Sequence, residues 1–124
     1  MSIENDLKIT KKMISELIEK IIQIKEIIPG TYKEVYRKCG KSYCWCAQKE
    51  KGHPFKRITW SENGKIKTKA IPDKDIGWIK EMTANYKIFR LNRQKLREYE
   101  QRIHELLDKY EEEIINDTRK TRGY

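Results

Sequence analysis

Three cysteines and one histidine lie within fifteen residues near the middle of the chain, at Cys39, Cys44, Cys46 and His53. An odd number of cysteines argues against a framework of disulfides. Thiolates and imidazole are ligands of tetrahedral zinc, and three sulfurs with one nitrogen complete its coordination shell. The spacing C-x4-C-x-C-x6-H is compact enough to surround one ion. We therefore predict that these four residues bind zinc and fix the shape of the segment that carries them.

Two other interpretations of this cluster stay open. The cysteines can be ordinary small or buried thiols, with His53 a loop residue before Pro54. A reactive thiol is the third possibility, because Lys38 and Lys41 close to Cys39 would lower its pKa, although the sequence offers no acid or base partner for such a site. Trp45 lies between two predicted ligands, and we expect it to be exposed or to cover the metal.

Two helical patterns flank the cluster. Apolar residues recur at spacings of three and four from Ile9 to Ile28 and predict a first helix within residues 1–30, ended by Pro29-Gly30. A second helix is predicted over residues 72–118, with Asp73 as its N-cap and a roughly heptad apolar rhythm from Ile79 to Ile114. Residues 119–124 form a basic tail that we expect to be frayed.

Three short strands are predicted between the helices, over Thr31–Lys38, Phe55–Ser61 and Lys65–Ile71. Asn63-Gly64 between the last two indicates a type I′ hairpin, because both central residues of that turn need positive φ. A two-residue loop pairs Trp60 with Lys67 and Ile58 with Lys69. We expect Tyr36 and Phe55 to belong to the core of this small sheet.

These elements predict an α+β fold in a single domain, residues 1–124, with the basic β module at residues 31–71. The two helices join this module at adjacent ends, which predicts an antiparallel coiled-coil stalk. The second helix is much longer than the first, so the apolar residues between Leu96 and Ile114 should lack a partner within one chain. An unpaired apolar stripe favours self-association, and we predict a homodimer through residues 96–114.

The charge of the chain is concentrated in the module. The net charge is +9, and residues 31–70 carry eleven Lys or Arg against Glu34, Glu50 and Glu62. Clustered cations attract polyanions, and interleaved aromatic rings can stack on exposed bases. We predict that nucleic acid binds to the following residues: Arg37, Lys38, Lys41, Lys56, Arg57, Trp60, Lys65, Lys67 and Lys69.

Other classes of protein receive little support. The sequence has no Gly-rich phosphate loop and no nucleophile elbow, and a closed zinc shell is structural, so we expect no catalysis. Neither a membrane-spanning apolar run nor the layout of a signal peptide is present, so we expect a cytoplasmic location and no membrane partner.

The segment from Tyr36 to Ala47, with Arg37-Lys38-Cys39-Gly40-Lys41 followed by Cys44 and Cys46, resembles an uncharacterised family of small bacterial and archaeal proteins. The resemblance covers roughly residues 31–90 and extends to the Gly64-Lys65 turn and to Ile71-Pro72. It implies a context near mobile elements and no established activity. The family pattern has His-Gly-Pro where this chain has Gly52-His53-Pro54, and often a basic residue at the position of Trp45. The first departure bears on His53 as a ligand, and the second bears on phosphate contact at Trp45.

The sequence thus predicts a non-catalytic nucleic-acid-binding protein and leaves the choice between DNA and RNA undecided. The alternative is a protein-interaction adaptor, or an inhibitor, that uses the coiled-coil stalk.

Overall fold

The computed structural model describes residues 2–124, and its elements follow the predicted α+β order. Helix α1 spans Ile3–Gln23, and strands β1, β2 and β3 span Thr31–Arg37, His53–Glu62 and Lys65–Ala70. Helix α2 spans Ile76–Arg122. The chain forms two compact units, and the single domain stays a prediction. The first unit combines the segment up to Lys25 with the segment from Ile88 onward, and the second consists of residues 26–87.

The second unit contains a three-stranded antiparallel sheet with β2 in the centre. Asn63 and Gly64 both have positive φ, 53° and 77°, as the predicted hairpin requires. Trp60 pairs with Lys67 and Ile58 pairs with Lys69, so the predicted register is confirmed.

The core of this unit lies between the sheet and the first turns of α2. Ile58, Ile71 and Met82 are buried there. Since side chains alternate along a strand, Tyr32, Ile58 and Trp60 share one face of the sheet. The Lys80 ammonium lies 5.0 Å from the centre of the Tyr32 ring, which places α2 on this face.

The expectation that Tyr36 and Phe55 belong to the core is wrong. Tyr36 keeps 47% of its surface exposed and Phe55 keeps 45%. The buried apolar residues of this unit are instead Cys46, Ile58, Ile71 and Met82. Phe55 lies on the opposite face of β2 from Ile58 and so points away from α2, and Tyr36 pairs with Pro54 near the end of β1.

Helix α1 ends at Gln23, earlier than the predicted Pro29-Gly30. Ile24 is extended, with φ −80° and ψ 108°. The residues that follow bond to α2 instead of continuing the helix: Ile28 N–H donates to Met82 O at 3.2 Å, and Asn85 Nδ2 donates to Glu26 O at 3.2 Å. These long-range bonds satisfy the backbone outside a helix.

Both ends of the second helix also differ from the prediction. Asp73 does not cap α2, because Asp73–Asp75 form a 3₁₀ turn whose N-cap is Pro72. Asp75 N–H donates to Pro72 O at 2.9 Å, and the α-helix begins one residue later at Ile76. At the other end, helix continues through Arg122, so most of the predicted basic tail is helical. Cations in the last turn favour this continuation because they interact with the negative end of the helix dipole.

In the first unit, α1 runs antiparallel to the later part of α2. Leu17 near the end of α1 shares a cleft with α2 residues between 95 and 102. Ile3 at the start of α1 shares another cleft with α2 residues between 109 and 120. Leu17 and Leu106 are buried, and Leu96 and Ile103 are half-buried. The stripe from Leu96 to Ile114 is therefore partly covered within one chain, contrary to our expectation. Coiled-coil packing of the knobs-into-holes kind stays a prediction. Neither helix, within residues 2–124, is apolar over a length that could cross a membrane.

Candidate metal centre

The pairing of β1 with β2 brings the two ends of the cluster together. His53, the first residue of β2, lies opposite Arg37, the last residue of β1, and Cys39 follows two residues later. Gly52 makes the approach possible. A Cβ at this position would overlap the backbone of Arg37 and Lys38, so a residue with a side chain does not fit here without moving a strand. The order Gly52-His53 thus places the imidazole beside the first cysteine.

A tight loop positions the other sulfurs. Gly40 has φ 81°, which turns the chain directly after Cys39. Cys44 N–H donates to Lys41 O at 3.1 Å, and Ala47 N–H donates to Cys44 O at 3.1 Å. The second bond belongs to the 3₁₀ turn Trp45–Gln48, which points Cys46 inward, where it is fully buried.

The four side chains converge as predicted. The sulfurs of Cys39, Cys44 and Cys46 and a ring nitrogen of His53 all lie within 4.8 Å of one another. Cys39 Sγ is 3.5 Å from Cys46 Sγ, and Cys44 Sγ is 3.1 Å from His53 Nε2. A zinc tetrahedron with Zn–S of about 2.3 Å and Zn–N of about 2.0–2.1 Å has edges of roughly 3.5–3.8 Å. The donor set and its spacing therefore fit one tetrahedral metal ion.

The electrostatics of the cluster favour a cation. The backbone N–H of Lys41 donates to the Cys39 sulfur and, with hydrogen bonds from His53 and Cys46, lowers the pKa of Cys39 from 9.0 to about 6. The pKa of Cys46 is raised: a backbone hydrogen bond from Cys39 acts against the rise, but burial and the sulfurs of Cys39 and Cys44 outweigh it. Cys39 is therefore a thiolate at neutral pH, whereas a second thiolate beside it needs a positive ion.

The geometry also bears on the alternative interpretations. His53 is half-buried against Cys44 rather than free in a loop. The low pKa of Cys39 comes first from the Lys41 backbone amide, whereas the reactive-thiol hypothesis attributed it to lysine ammonium groups. Trp45 is 55% exposed and touches the imidazole of His53 edge-on, with ring centres 4.8 Å apart. Trp45 is therefore exposed, which was one of the two expectations, and its role as a cover over a metal stays a prediction.

The residues predicted to bind nucleic acid do not form one surface. Lys65, Lys67 and Lys69 lie on β3, exposed, on the sheet face of Trp60 and of the half-buried Lys56. Arg57 belongs to the other face and is half-buried, and its Nε has no hydrogen-bond partner within residues 2–124. The remaining three are exposed residues at or near the metal cluster: Arg37, Lys38 and Lys41.

Sequence reasoning gave no role to two residues that the structure places at important positions. Gly52 is buried between the strands. The sequence signal that could have identified it is a glycine directly before a predicted metal ligand. Trp78 lies in the first turn of α2 with 49% of its surface exposed. An exposed tryptophan is not distinguishable from a core tryptophan by sequence pattern alone.

In a comparison with protein families, the profile of a family described as a domain of unknown function (DUF6788) covers residues 14–81, more than half of the chain. No curated protein and no solved structure matches the chain.

Proposed function

We propose that this chain, which belongs to the family described as a domain of unknown function (DUF6788), binds nucleic acid without catalysis and uses a zinc ion to hold its binding module in shape. The observation that carries the proposal is the row of exposed lysines on β3, Lys65, Lys67 and Lys69, within a segment that holds nearly all the excess positive charge of the chain. Such a row neutralises phosphates and releases their counterions.

Zinc is the metal that the donor set favours. Three sulfurs and one imidazole complete a four-coordinate shell, which leaves no position for a water molecule or a substrate. The ion would therefore be structural. It would connect the loop after β1 to the first residue of β2, beside Lys38 and Lys41.

The zinc part of the proposal is tested by metal analysis of the purified protein and by replacement with Co²⁺. We expect one zinc per chain, and a cobalt form with the absorption bands of tetrahedral thiolate coordination. Cys44→Ser should abolish both, and Ser42→Ala is the matched control in the same loop. A protein that binds no zinc or cobalt at this cluster would contradict the assignment.

The nucleic-acid part is tested by fluorescence anisotropy of labelled oligonucleotides over a salt series. The triple variant Lys65→Gln, Lys67→Gln, Lys69→Gln should weaken binding and should reduce the slope of log K against log salt by between about 2 and 3, from roughly 0.7–0.9 per phosphate contact. A control with the same loss of charge replaces Lys8, Lys11 and Lys12 on α1 with Gln. If both triple variants behave alike, binding follows net charge and the assignment of β3 is wrong.

A second candidate function is the protein-interaction adaptor, which is compatible with a homodimer through residues 96–114. Leu107 and Ile114 support it, because they are 45% and 46% exposed and lie seven residues apart on α2. Leu96 and Ile103 are half-buried within one chain, so their replacement would also perturb the first unit. The sharper test is therefore Leu107→Glu with Ile114→Glu. Loss of self-association or of a protein partner, with oligonucleotide binding retained, would favour this function.

A further inference from the structure

An apolar cavity of about 400 Å³ opens on the sheet face that carries the β3 lysines. It lies entirely within the unit of residues 26–87. Ile58 and Ile79 contribute to its walls, and Trp60 and Trp78 contribute two aromatic rings. Its volume is within the range of about 300–1,000 Å³ that is typical of small-molecule sites.

The two tryptophans come from different elements, and one of them is held in position. Trp60 on β2 donates its indole N–H to Glu62 Oε2 at 3.2 Å. Trp78 is in the first turn of α2 and is half-exposed. Within residues 2–124, the aromatic rings in contact are those of Trp45 and His53. The rings of Trp60 and Trp78 therefore do not stack on each other. Both rings line the cavity, so a flat aromatic ligand inside it would lie against them.

The charged groups around the cavity are arranged as a nucleotide requires, with cations where a phosphate would lie and an acceptor where a base would lie. Lys69 lies at the cavity, and Lys67 is the register partner of Trp60 on the adjacent strand. Lys67 also forms an ion pair with Glu62 at 3.3 Å, with both side chains half-exposed. Asp75 lines the cavity as well and would repel a phosphate, but its carboxylate can accept a hydrogen bond from the amino group of a base. The phosphate therefore belongs at the lysines, and the base belongs inside.

We infer that this cavity takes one unstacked base of a single-stranded nucleic acid, with Trp78 as a stacking residue that accompanies Trp60. The inference rests on the proposed nucleic-acid function and names its substrate class. A base inside a duplex has no free face, so the cavity discriminates against double strands. Base stacking on an aromatic side chain tolerates all sequences, which predicts weak sequence preference.

The experiment compares labelled 12-nucleotide mixed-sequence single strands of DNA and of RNA with the same strands in duplexes, using the full chain loaded with zinc. Two variants separate the contribution of the aromatic ring to binding from that of apolar surface. Trp78→Leu removes the ring and stays apolar, and Trp78→Phe keeps an aromatic ring. We expect wild type to prefer the single strand. Trp78→Leu should weaken single-strand binding by roughly 5- to 150-fold and leave duplex binding unchanged, from the usual effect of one stacking residue. Trp78→Phe should retain most of the affinity.

A direct readout covers the case in which Trp78→Leu does not fold. Ultraviolet crosslinking of wild type to a single strand that contains 5-iodouracil, followed by peptide mapping, should find the crosslink on Trp60 or Trp78. Equal affinity for single and double strands, or a crosslink confined to other residues, would overturn the inference and leave the proposed function intact. Absence of binding to both DNA and RNA, in either strand form, at low salt would refute the proposed function itself.

Discussion

Replacement of Gly52 by alanine tests how the strands hold the metal cluster together. The new Cβ would meet three backbone atoms of Arg37 and Lys38, and backbone cannot rotate away as a side chain can. Overpacking costs about 1–3 kcal/mol, and we expect the upper end, about 3 kcal/mol, because relief requires β1 and β2 to separate at this point. His53 would move with β2, so zinc affinity should also fall, by roughly the 10- to 100-fold typical of residues that support ligands.

Urea unfolding of the zinc-loaded protein, followed by tryptophan fluorescence, measures this cost, because all three tryptophans lie within residues 26–87. The matched control is Gly77→Ala near the start of α2, where an added Cβ meets open space. That variant should be as stable as wild type or more stable by up to about 1 kcal/mol, since alanine is the better helix former. Neutral surface changes typically alter the free energy of unfolding by up to about 0.5 kcal/mol. If the free energy of unfolding of Gly52→Ala lies within that margin of the wild-type value, the strands do not meet as described.

Three further predictions concern the two cores and the thiols. Ile58→Ala should lower the free energy of unfolding by about 2–5 kcal/mol, whereas Ile66→Ala, at a position 79% exposed, should change it by less than about 0.5 kcal/mol in the same urea assay. Leu106→Ala should lower the free energy of unfolding by a similar amount, measured by circular dichroism, with Leu91→Ala, 54% exposed, as the neutral control. Comparable losses of stability in the two variants would contradict the burial of Leu106. In metal-free protein, the rate at which iodoacetamide modifies Cys39 should have its midpoint near pH 6, because the lowered pKa keeps the thiolate down to that pH. The rate is followed by peptide mass spectrometry, and a midpoint near pH 9 would refute the hydrogen bonding at this sulfur.

Local sequence signals predicted the parts of the fold that depend on neighbouring residues. Asn63-Gly64 specified the hairpin and its register, because the positive φ of both residues is a local requirement. The close spacing of Cys39, Cys44 and Cys46 likewise led to a real cluster, and His53 joined it despite its departure from the family pattern.

Features set by distant residues were not predictable in the same way. The apolar period of the first helix continues to Ile28, yet α1 ends at Gln23, because Met82 and Asn85 bond the following residues. A periodic pattern reports which side of a helix is apolar, but it does not report a competing partner more than fifty residues away. The division into two units has the same origin, since it depends on which segments meet.

That division has a consequence for how the chain is made on the ribosome. The unit of residues 26–87 is continuous in sequence and can fold as soon as it has emerged, whereas the other unit combines segments on either side of it. Leu17 is buried and shares a cleft with residues between 95 and 102, which are made about 80 residues later. At roughly 5–20 residues per second, the apolar side of α1 remains open to chaperones for on the order of 4–16 s, while the strand module is already complete.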